Sequence, residues 1–423
     1  MEICPFIYGR ALKPKEFYNR SGELRRVLNR LITGQSTALI GQPHIGKTSF
    51  LNYLVDNESC QKIVDDKLSH SIFYYLDSQL LGTSFDQAAF WKQVLTPLIS
   101  RFPSGKIYEA HKTAENNHFG NFTLEQLFTI LGQEGFQFVL LLDEFDTLLT
   151  HPVLNSTEFY GGLRSFVSRC SGFATVIASR RSLDFLNQET QKINPHGSPY
   201  FNVFTEFRLG PLPEKYAKTV MNQAKGILSK TDREFILKVS GRHPYLLQTA
   251  GAILWEISDQ GKHGTERYQA ASDEMYRQTC AHFADTWNSW SSAQKKAISA
   301  IALAQIPDLV NNHTFSWSNL IENITDYSAE LRSLKDAGTI IESEENNWQI
   351  TQQAFLWWLA DEIKQVTRDD SSFETWICEQ EMDGLITKQG RKKIGQTAQK
   401  VSGLATSLIE AFAKGLGGSV IPS

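Results

Sequence analysis

The sequence lacks the features that mark several large classes of protein. Its 423 residues include only 5 cysteines, which are scattered and form no C-x-x-C pair: Cys4, Cys60, Cys170, Cys280 and Cys378. This odd, dispersed set indicates neither a disulfide framework nor a cysteine-based zinc site, and it fits a reducing compartment. No apolar run reaches the ~18 residues of a membrane-spanning helix, and the first residues lack the regions of a signal peptide. We therefore expect a cytoplasmic protein without an integral membrane span.

The chain also lacks an excess of positive charge and a visible internal repeat. Lysine and arginine number 42 against 46 acidic residues, which gives a formal net charge of −4. Nucleic-acid binding usually favours a basic bias, so composition does not support it. The hydrophobic fraction of 41%, with 26 phenylalanines, is ample for buried cores. A chain of this length predicts about two to four domains.

What the sequence does contain is a full match to the phosphate-binding loop G-x-x-x-x-G-K-[ST], at residues 41–48. Glycines let the backbone curl so that amide groups point at phosphate oxygens. A lysine at this position places its charge on the β- and γ-phosphates, and the hydroxyl that follows it ligates Mg²⁺. The residues predicted to bind a nucleoside triphosphate are Gly41, Gln42, Pro43, His44, Ile45, Gly46, Lys47, Thr48 and Ser49.

The flanking sequence supports this interpretation. An apolar run at residues 36–41 predicts a buried strand before the loop, and residues 47–56 show helical spacing after it. That helix would direct the positive end of its dipole at the bound anion.

A second apolar run, residues 136–142, ends in two carboxylates. Its near-continuous apolar character is typical of a parallel strand covered on both faces. Asp143 is placed to bind the metal, directly or through water, and Glu144 to orient or deprotonate the attacking water. The alternative is that both carboxylates only cap the next helix.

Residues 171–181 predict a third core strand, which in phosphate-loop enzymes lies between the loop strand and the acidic strand. Its end would face the γ-phosphate, so Ser179 or Arg180 could sense that group, with Arg181 left in solvent. A helix near residues 158–169 carries Arg164 and Arg169. In oligomeric ATPases an arginine here can reach a neighbouring subunit, but two solvated arginines explain the pattern as well.

Four stretches resemble bacterial AAA-like ATPases of the STAND (signal-transduction ATPase with numerous domains) and archaeal-ATPase type. They are the lead-in at residues 17–24, with Asn19 where glycine is usual, the phosphate loop, the acidic strand, and residues 240–248, which resemble a G-x-P lid motif. The resemblance implies an α/β fold: a five-stranded parallel P-loop sheet with helices on both faces, followed by a helical lid. It also implies that Pro244 and His243 lie near the adenine or ribose, with Tyr8, Gly9 and Arg20 flanking the base. An ordinary turn between two helices would explain Gly241–Pro244 without a ligand.

We expect four domains: an ATPase core at residues 1–210, a helical lid at 211–288, a winged-helix domain at 289–366, and a linker with a helical tail at 367–423. Helices at residues 293–304, 317–323, 328–338 and 353–366 around a hairpin at 340–351 indicate the winged helix. Residues 291–365 hold five basic and ten acidic side chains, so a phosphate backbone would be repelled on balance. The winged helix is therefore interpreted as a protein-contact and autoinhibitory element.

Four further segments carry predictions that the structure can test. We expect one helix over residues 84–100, an exposed loop over 103–121 and a strand over 200–209. A helix over residues 387–413 carries an apolar stripe at Leu404, Leu408, Ile409 and Phe412. The stripe indicates packing on the chain itself or homo-oligomerisation; contact with a membrane surface is the other possibility.

The leading hypothesis is an ATP-binding switch that couples Mg-ATP binding and slow hydrolysis to conformational change or oligomerisation. The resemblance suggests a role in bacterial signalling or defence, with ATP and ADP as ligands and a protein or a second copy as partner. The absence of an N/T-K-x-D motif favours adenine over guanine. Two alternatives remain: a DNA-associated ATPase similar to origin-recognition or transposition regulators, and a scaffold that binds nucleotide without hydrolysing it.

Overall fold

The structure is a computed structural model of the whole chain. It describes residues 3–17, 20–224, 226–258, 260–306, 327–343, 347–366 and 403–417, with the single positions 375 and 378. The chain divides into two compact units. The sheet unit comprises Ala11–Gln42 and Gly46–Leu209, and the helical unit comprises Met1–Arg10, Pro43–Ile45 and Gly210–Ser423.

The sheet unit is built on five parallel strands in the order β2-β3-β4-β1-β5. They are β1 (Thr37–Ile40), β2 (Ser71–Asp77), β3 (Gln137–Asp143), β4 (Phe173–Ser179) and β5 (Thr205–Arg208). Every residue of β1 and β4 is buried, as expected for central parallel strands covered on both faces. The predicted five-stranded parallel sheet is thus confirmed, and so is the position of β4 between β1 and β3.

Nine α-helices of the sheet unit surround the strands in the described part of the chain. They are α1 (Ser21–Ile32), α2 (Lys47–Val55), α3 (Asn57–Val64), α4 (Gln87–Val94), α5 (Thr96–Arg101), α6 (Lys106–Asn116), α7 (Asn121–Gln133), α8 (Thr157–Arg169) and α9 (Leu183–Gln191). Aromatic rings dominate one core cluster: Trp91 packs edge-on against Phe128, Phe166 and Phe173 at centroid distances of 5.6–6.2 Å.

Three predictions about local structure in this unit were wrong. The exposed loop expected over residues 103–121 contains α6, because Ile107, His111 and Ala114 recur at helical spacing and are buried. The single helix expected over residues 84–100 is interrupted at Leu95, since Pro97 occupies the first turn of α5. The strand expected over residues 200–209 is only β5; the aromatic residues before it are turns packed into the core.

The helical unit contains the lid helices and the elements that follow them. They are α10 (Glu214–Met221), α11 (Lys230–Ser240), α12 (Pro244–Ser258), α13 (Gly264–Ser289), α14 (Ser292–Gln305), α15 (Ser328–Asp336), β6 (Ile340–Ser343), β7 (Asn347–Ile350), α16 (Gln353–Val366) and α17 (Leu404–Gly417). The predicted hairpin is confirmed, because β6 and β7 pair antiparallel. The helix predicted over residues 317–323 lies outside the described residues, so the winged helix as a whole stays a prediction.

The helix predicted over residues 387–413 lies outside the described residues up to position 402, and its described part belongs to α17. This helix packs on the chain's own helices. Its side chains Leu404, Ile409, Ala413 and Leu416 are buried. The ring of Phe412 lies 5.8 Å from that of Phe235 on α11 and 5.4 Å from that of Trp357 on α16. This arrangement favours the packing interpretation of the apolar stripe. Among the residues that the structure describes, none belongs to a helix long and apolar enough to cross a membrane.

Candidate phosphate-binding site

The phosphate loop connects the end of β1 to the first residue of α2. Gly46 is the N-cap of α2 and has φ 99°, in the left-handed region that side chains other than glycine rarely adopt. The Gly41 amide donates a hydrogen bond to the carbonyl oxygen of Ser179 at 3.1 Å, which ties the start of the loop to β4. The strand–loop–helix context predicted from the sequence is therefore present.

Lys47 is buried, with an exposed fraction of 5%. Its Nζ donates to the carbonyl oxygens of Gly41 at 2.9 Å and Gln42 at 3.1 Å. Burial lowers the pKa of Lys47, while the carboxylates of Glu144, Asp143 and Asp146 act in the opposite direction. The ammonium group is thus held by the loop backbone beside a group of carboxylates.

Asp143 is the last residue of β3 and is 1% exposed. Its Oδ2 accepts a hydrogen bond from the Tyr75 hydroxyl at 3.1 Å, and its Oδ1 accepts one from the Glu144 amide at 3.0 Å. Both donors are neutral groups, and they leave lone pairs of the carboxylate oxygens available to a cation.

Glu144 follows immediately and adopts φ 47°, a left-handed conformation that is uncommon for a residue with a side chain. Burial raises the pKa of Glu144, and the charge of Lys47 opposes that rise. Its Oε2 lies 3.6 Å from Nε of Arg180. A carboxylate with a raised pKa in such a site is suited to accept a proton.

Arg180 follows the end of β4 and contacts the same carboxylates. Its Nε lies 3.3 Å from Oδ2 of Asp146, and its amide donates to Oδ1 of that residue at 3.2 Å. The preceding residue, Ser179, is fully buried, and its hydroxyl accepts a hydrogen bond from the Arg181 amide at 2.9 Å. The structure therefore brings Lys47, Glu144 and Arg180 to one end of the sheet, as parallel strands require.

Three carboxylates and two cations make up this charged cluster, so an added cation would be favourable. The donors suit Mg²⁺: Asp143 offers a buried carboxylate oxygen, and Thr48 lies in the first turn of α2 with a half-buried side chain. No group of three or more His, Cys, Asp or Glu side chains suited to a metal occurs within the described ranges. A Mg²⁺ ion that takes most of its ligands from phosphates and water does not need one.

Other predicted residues lie elsewhere. The Ser49 hydroxyl accepts a hydrogen bond from the Leu12 amide at 2.9 Å, so it faces the N-terminal lead-in. Arg20 is 2% exposed and lies 3.4 Å from Glu23, and burial lowers its pKa to about 10. It occupies the N-cap position of α1. The expected contact of Arg20 with a base stays a prediction.

Several loop and lid residues belong to the helical unit. Pro43, His44 and Ile45 group with that unit, as do Tyr8 and Gly9 of the lead-in. Pro244 is the first residue of α12, and the His243 before it is 1% exposed. The roles near adenine or ribose that the resemblance implied for Pro244 and His243 remain predictions.

Sequence reasoning missed two contributors, Tyr75 and Asp146. Tyr75 lies on β2, where it pairs in register with Leu141 of the acidic strand. Its position two residues before the end of β2 is the sequence signal that could have identified it. Asp146 stands three residues after Asp143, a spacing that returns it to the site in a 3-10 turn. Arg169, by contrast, is 71% exposed and lies 3.8 Å from Glu125 of its own chain.

A buried strand, a lysine-bearing glycine loop, a helix and an acidic neighbouring strand together define a P-loop NTPase. The family model described as Novel STAND NTPase 2 matches residues 34–306. The chain belongs to that family, which confirms the STAND-type P-loop ATPase that the motifs suggested. No curated protein matches the sequence.

A solved structure shares this fold at low sequence identity. The Walker-type ATPase PABY2304 of Pyrococcus abyssi is 15% identical with a TM-score of 0.54, and the match covers 84% of this chain and 99% of that one. The ORC2 protein of Aeropyrum pernix is 13% identical with a TM-score of 0.45, over 88% and 97% of the two chains.

Proposed function

We propose that this protein is an ATP-dependent switch, which binds Mg-ATP, hydrolyses it slowly and changes conformation or assembly as a result. One observation carries the proposal: the ammonium group of Lys47 is buried, held by two loop carbonyls and surrounded by Asp143, Glu144 and Asp146. A buried cation on a loop of amide donors is a site for a polyanion. The lysine would exchange its carbonyl partners for β- and γ-phosphate oxygens.

Magnesium fits this site through Thr48 and Asp143. When bound, the ion would neutralise phosphate charge during the transfer of the γ-phosphoryl group. Because the cluster already contains more carboxylates than cations, nucleotide and metal should bind together. Adenine is favoured over guanine by the absence of a guanine-recognition motif in the sequence.

Glu144 is the candidate base. Its carboxylate would orient the attacking water and accept its proton, and the rise in its pKa brings it closer to the operating pH. Arg180 contacts both Glu144 and Asp146, so it is placed to leave them for the γ-phosphate. Hydrolysis would then require Arg180 to break its contacts with Glu144 and Asp146, and this requirement is consistent with slow turnover.

The output of the switch would be carried by the lid helices and the predicted winged helix, through a protein partner or a second copy. Lys335 lies on α15, the helix that a DNA-binding winged-helix domain would insert into a DNA groove. Its Nζ is 2.7 Å from Oε2 of Glu342 in the hairpin. This internal ion pair supports protein contact rather than phosphate contact. A role in bacterial signalling or defence rests on the family resemblance.

The binding step is tested by isothermal titration of ATP with Mg²⁺ into the wild type and Lys47→Ala. Loss of charge-assisted hydrogen bonds to phosphate should weaken binding about 10- to 100-fold. Lys62→Ala is the matched control, because this lysine is exposed on α3 and should leave the affinity unchanged. A folded wild type that releases no heat with Mg-ATP would refute the proposed function.

The hydrolysis step is tested with Glu144→Gln, which keeps the shape of the side chain and removes the base. Phosphate release should fall about 10²- to 10⁴-fold while ATP stays bound unhydrolysed. Glu58→Gln, an exposed carboxamide substitution on α3, is the control. Equal turnover in Glu144→Gln and the wild type would indicate a scaffold that binds nucleotide without using this carboxylate.

A further inference from the structure

The middle of the phosphate loop groups with the helical unit, although the residues on both sides of it group with the sheet unit. The tripeptide is Pro43–Ile45, and its immediate neighbours Gln42 and Gly46 belong to the sheet unit. The chain therefore passes from one unit to the other and back within a loop of eight residues. Any change in the shape of the loop must be accommodated by whatever holds this tripeptide.

A cluster of rings in the helical unit holds it. The His44 ring lies 5.0 Å from that of Tyr245 on α12 and 5.4 Å from that of His282 on α13. His282 is the centre of the cluster, since its ring also lies 5.1 Å from that of His243 and 5.2 Å from that of Tyr245. These centroid distances are those of directly packed rings.

His44 combines an exposed side chain with a left-handed backbone conformation. Its φ is 58°, which is unfavourable for a residue other than glycine unless its surroundings enforce it. The packing of its ring against α12 and α13 supplies such an enforcement. A displacement of α12 or α13 would remove these ring contacts. A rearrangement of the phosphate loop would in turn displace the rings that His44 contacts.

His282 is a polar residue that is buried like a residue of the hydrophobic core. It is 5% exposed, and its Nδ1 has no hydrogen-bond partner in the part of the chain that the structure describes. Burial lowers its pKa to about 3, with a further contribution from His44, so the ring is uncharged at neutral pH. It therefore packs as a flat neutral ring that can rest against three others.

We propose that His282 is a positioning residue that holds His44 against the lid and so transmits nucleotide-dependent changes of the phosphate loop into α12 and α13. The proposal rests on the proposed function, because it requires a nucleotide in the loop. It assigns a role to a residue outside the phosphate-binding motif and outside the lid motif at residues 240–248. The coupling passes through ring packing, so its loss should affect the lid response more than the affinity for nucleotide.

The experiment uses the full-length chain as wild type, His282→Ala, His282→Phe and Met275→Ala. Met275 is the matched control: it is fully buried on the same helix and lies seven residues, or about 10 Å, before His282. Each variant is titrated with Mg-ATP by calorimetry. Hydrogen–deuterium exchange of the α12 and α13 amides is then measured with and without saturating Mg-ATP.

In the wild type we expect Mg-ATP to change the exchange rate of the lid amides about 10-fold, a usual size for coupling between sites. His282→Ala should reduce that change to less than about 3-fold and shift the dissociation constant by no more than about 3-fold. His282→Phe should restore the response, since it keeps a neutral ring, and Met275→Ala should keep it.

Three results would overturn the inference while the proposed function stands. They are a wild-type response in His282→Ala, a loss of response in His282→Phe equal to that in His282→Ala, and an equal loss in Met275→Ala, which would show general loosening of the helix. If His282→Ala does not fold, His282→Phe decides by itself: a wild-type response supports the inference, and a lost response overturns it. Absence of Mg-ATP binding in the folded wild type is a different outcome, and it refutes the proposed function itself.

Discussion

Acidification should destabilise the helical unit through His282, and replacing this residue with phenylalanine should remove the effect. The His282 ring is 5% exposed among the rings of His44, His243, Tyr245 and Phe283. Burial lowers its pKa to about 3, so the folded state keeps the ring neutral where an unfolded chain would protonate it. Phenylalanine offers a ring that cannot take up a proton.

The sign and size of the effect follow from proton linkage. A histidine in an unfolded chain has a pKa of about 6.5. The pKa of His282 is lower in the folded state than in the unfolded chain. The contribution of the neutral ring to the free energy of unfolding is therefore complete above pH 6.5 and is lost as the pH falls toward 3. Below pH 6.5 the free energy of unfolding falls by up to about 1.4 kcal/mol per pH unit. Between pH 7 and pH 5 the total decrease is about 2 kcal/mol.

The assay is denaturant unfolding followed by tryptophan fluorescence at several pH values from 7 to 5. Trp91 is the only tryptophan before residue 210, and the other 8 of the 9 lie after it. The signal therefore reports mainly on the helical unit. The quantity to compare is the difference in free energy of unfolding between the wild type and His282→Phe at each pH.

That difference should shift by about 2 kcal/mol in favour of the variant as the pH falls from 7 to 5. Other titrating groups cancel, because both proteins contain them; His111, whose pKa burial also lowers, is one example. A fixed cost of fitting the larger ring cancels as well, since it is the same at every pH. Parallel pH profiles for the two proteins would refute the assignment of a buried neutral His282.

Three further predictions concern packing and partners. Phe412→Ala removes two ring contacts of α17, so it should lower the free energy of unfolding of the helical unit by about 2 kcal/mol. Glu410→Ala changes an exposed residue of the same helix and should leave that free energy unchanged; denaturant unfolding measures both. Gly172→Ala should cost about 2 kcal/mol by thermal unfolding, because the added carbon would meet backbone atoms of α7, whereas Gly22→Ala meets open space and should be neutral or stabilising. Filter binding of duplex DNA at two salt concentrations should show no steep salt slope, because Lys335 is already paired within the chain; a steep slope would favour the DNA-associated alternative.

Motifs predicted which residues lie together at the site, because each part of a triphosphate demands a particular residue type. Lys47, Asp143 and Glu144 could be assigned roles before any coordinates, and the structure places them with Arg180 in one charged cluster. The strand order was also predictable, since long apolar runs are typical of parallel strands buried on both faces. Tyr75 was missed because it lies outside the motifs, and its position near the end of a strand next to the acidic strand was not used.

Segments with few apolar residues were predicted less well. The region over residues 103–121 contains Pro103, Gly105 and several polar side chains, which indicate a loop. The buried residues of α6 are Ile107, His111 and Ala114, and one of them is a histidine that pattern reasoning counts as polar. Tertiary packing against α7 thus decided the conformation where local propensity pointed the other way.

The division of the phosphate loop between the two units explains why its chemistry was predictable and its coupling was not. Gly41, Gly46 and Lys47 must meet a polyanion, and this requirement restricts them to a motif that a sequence displays. His44 occupies a variable position of the motif, so nothing in the loop pattern assigns it a role. Its proposed role comes from ring contacts with Tyr245 and His282, which lie 201 and 238 residues further along the chain. A loop that would bind phosphate through the fixed positions of its motif and contact the lid helices through a variable one could keep its chemistry while its signal changes.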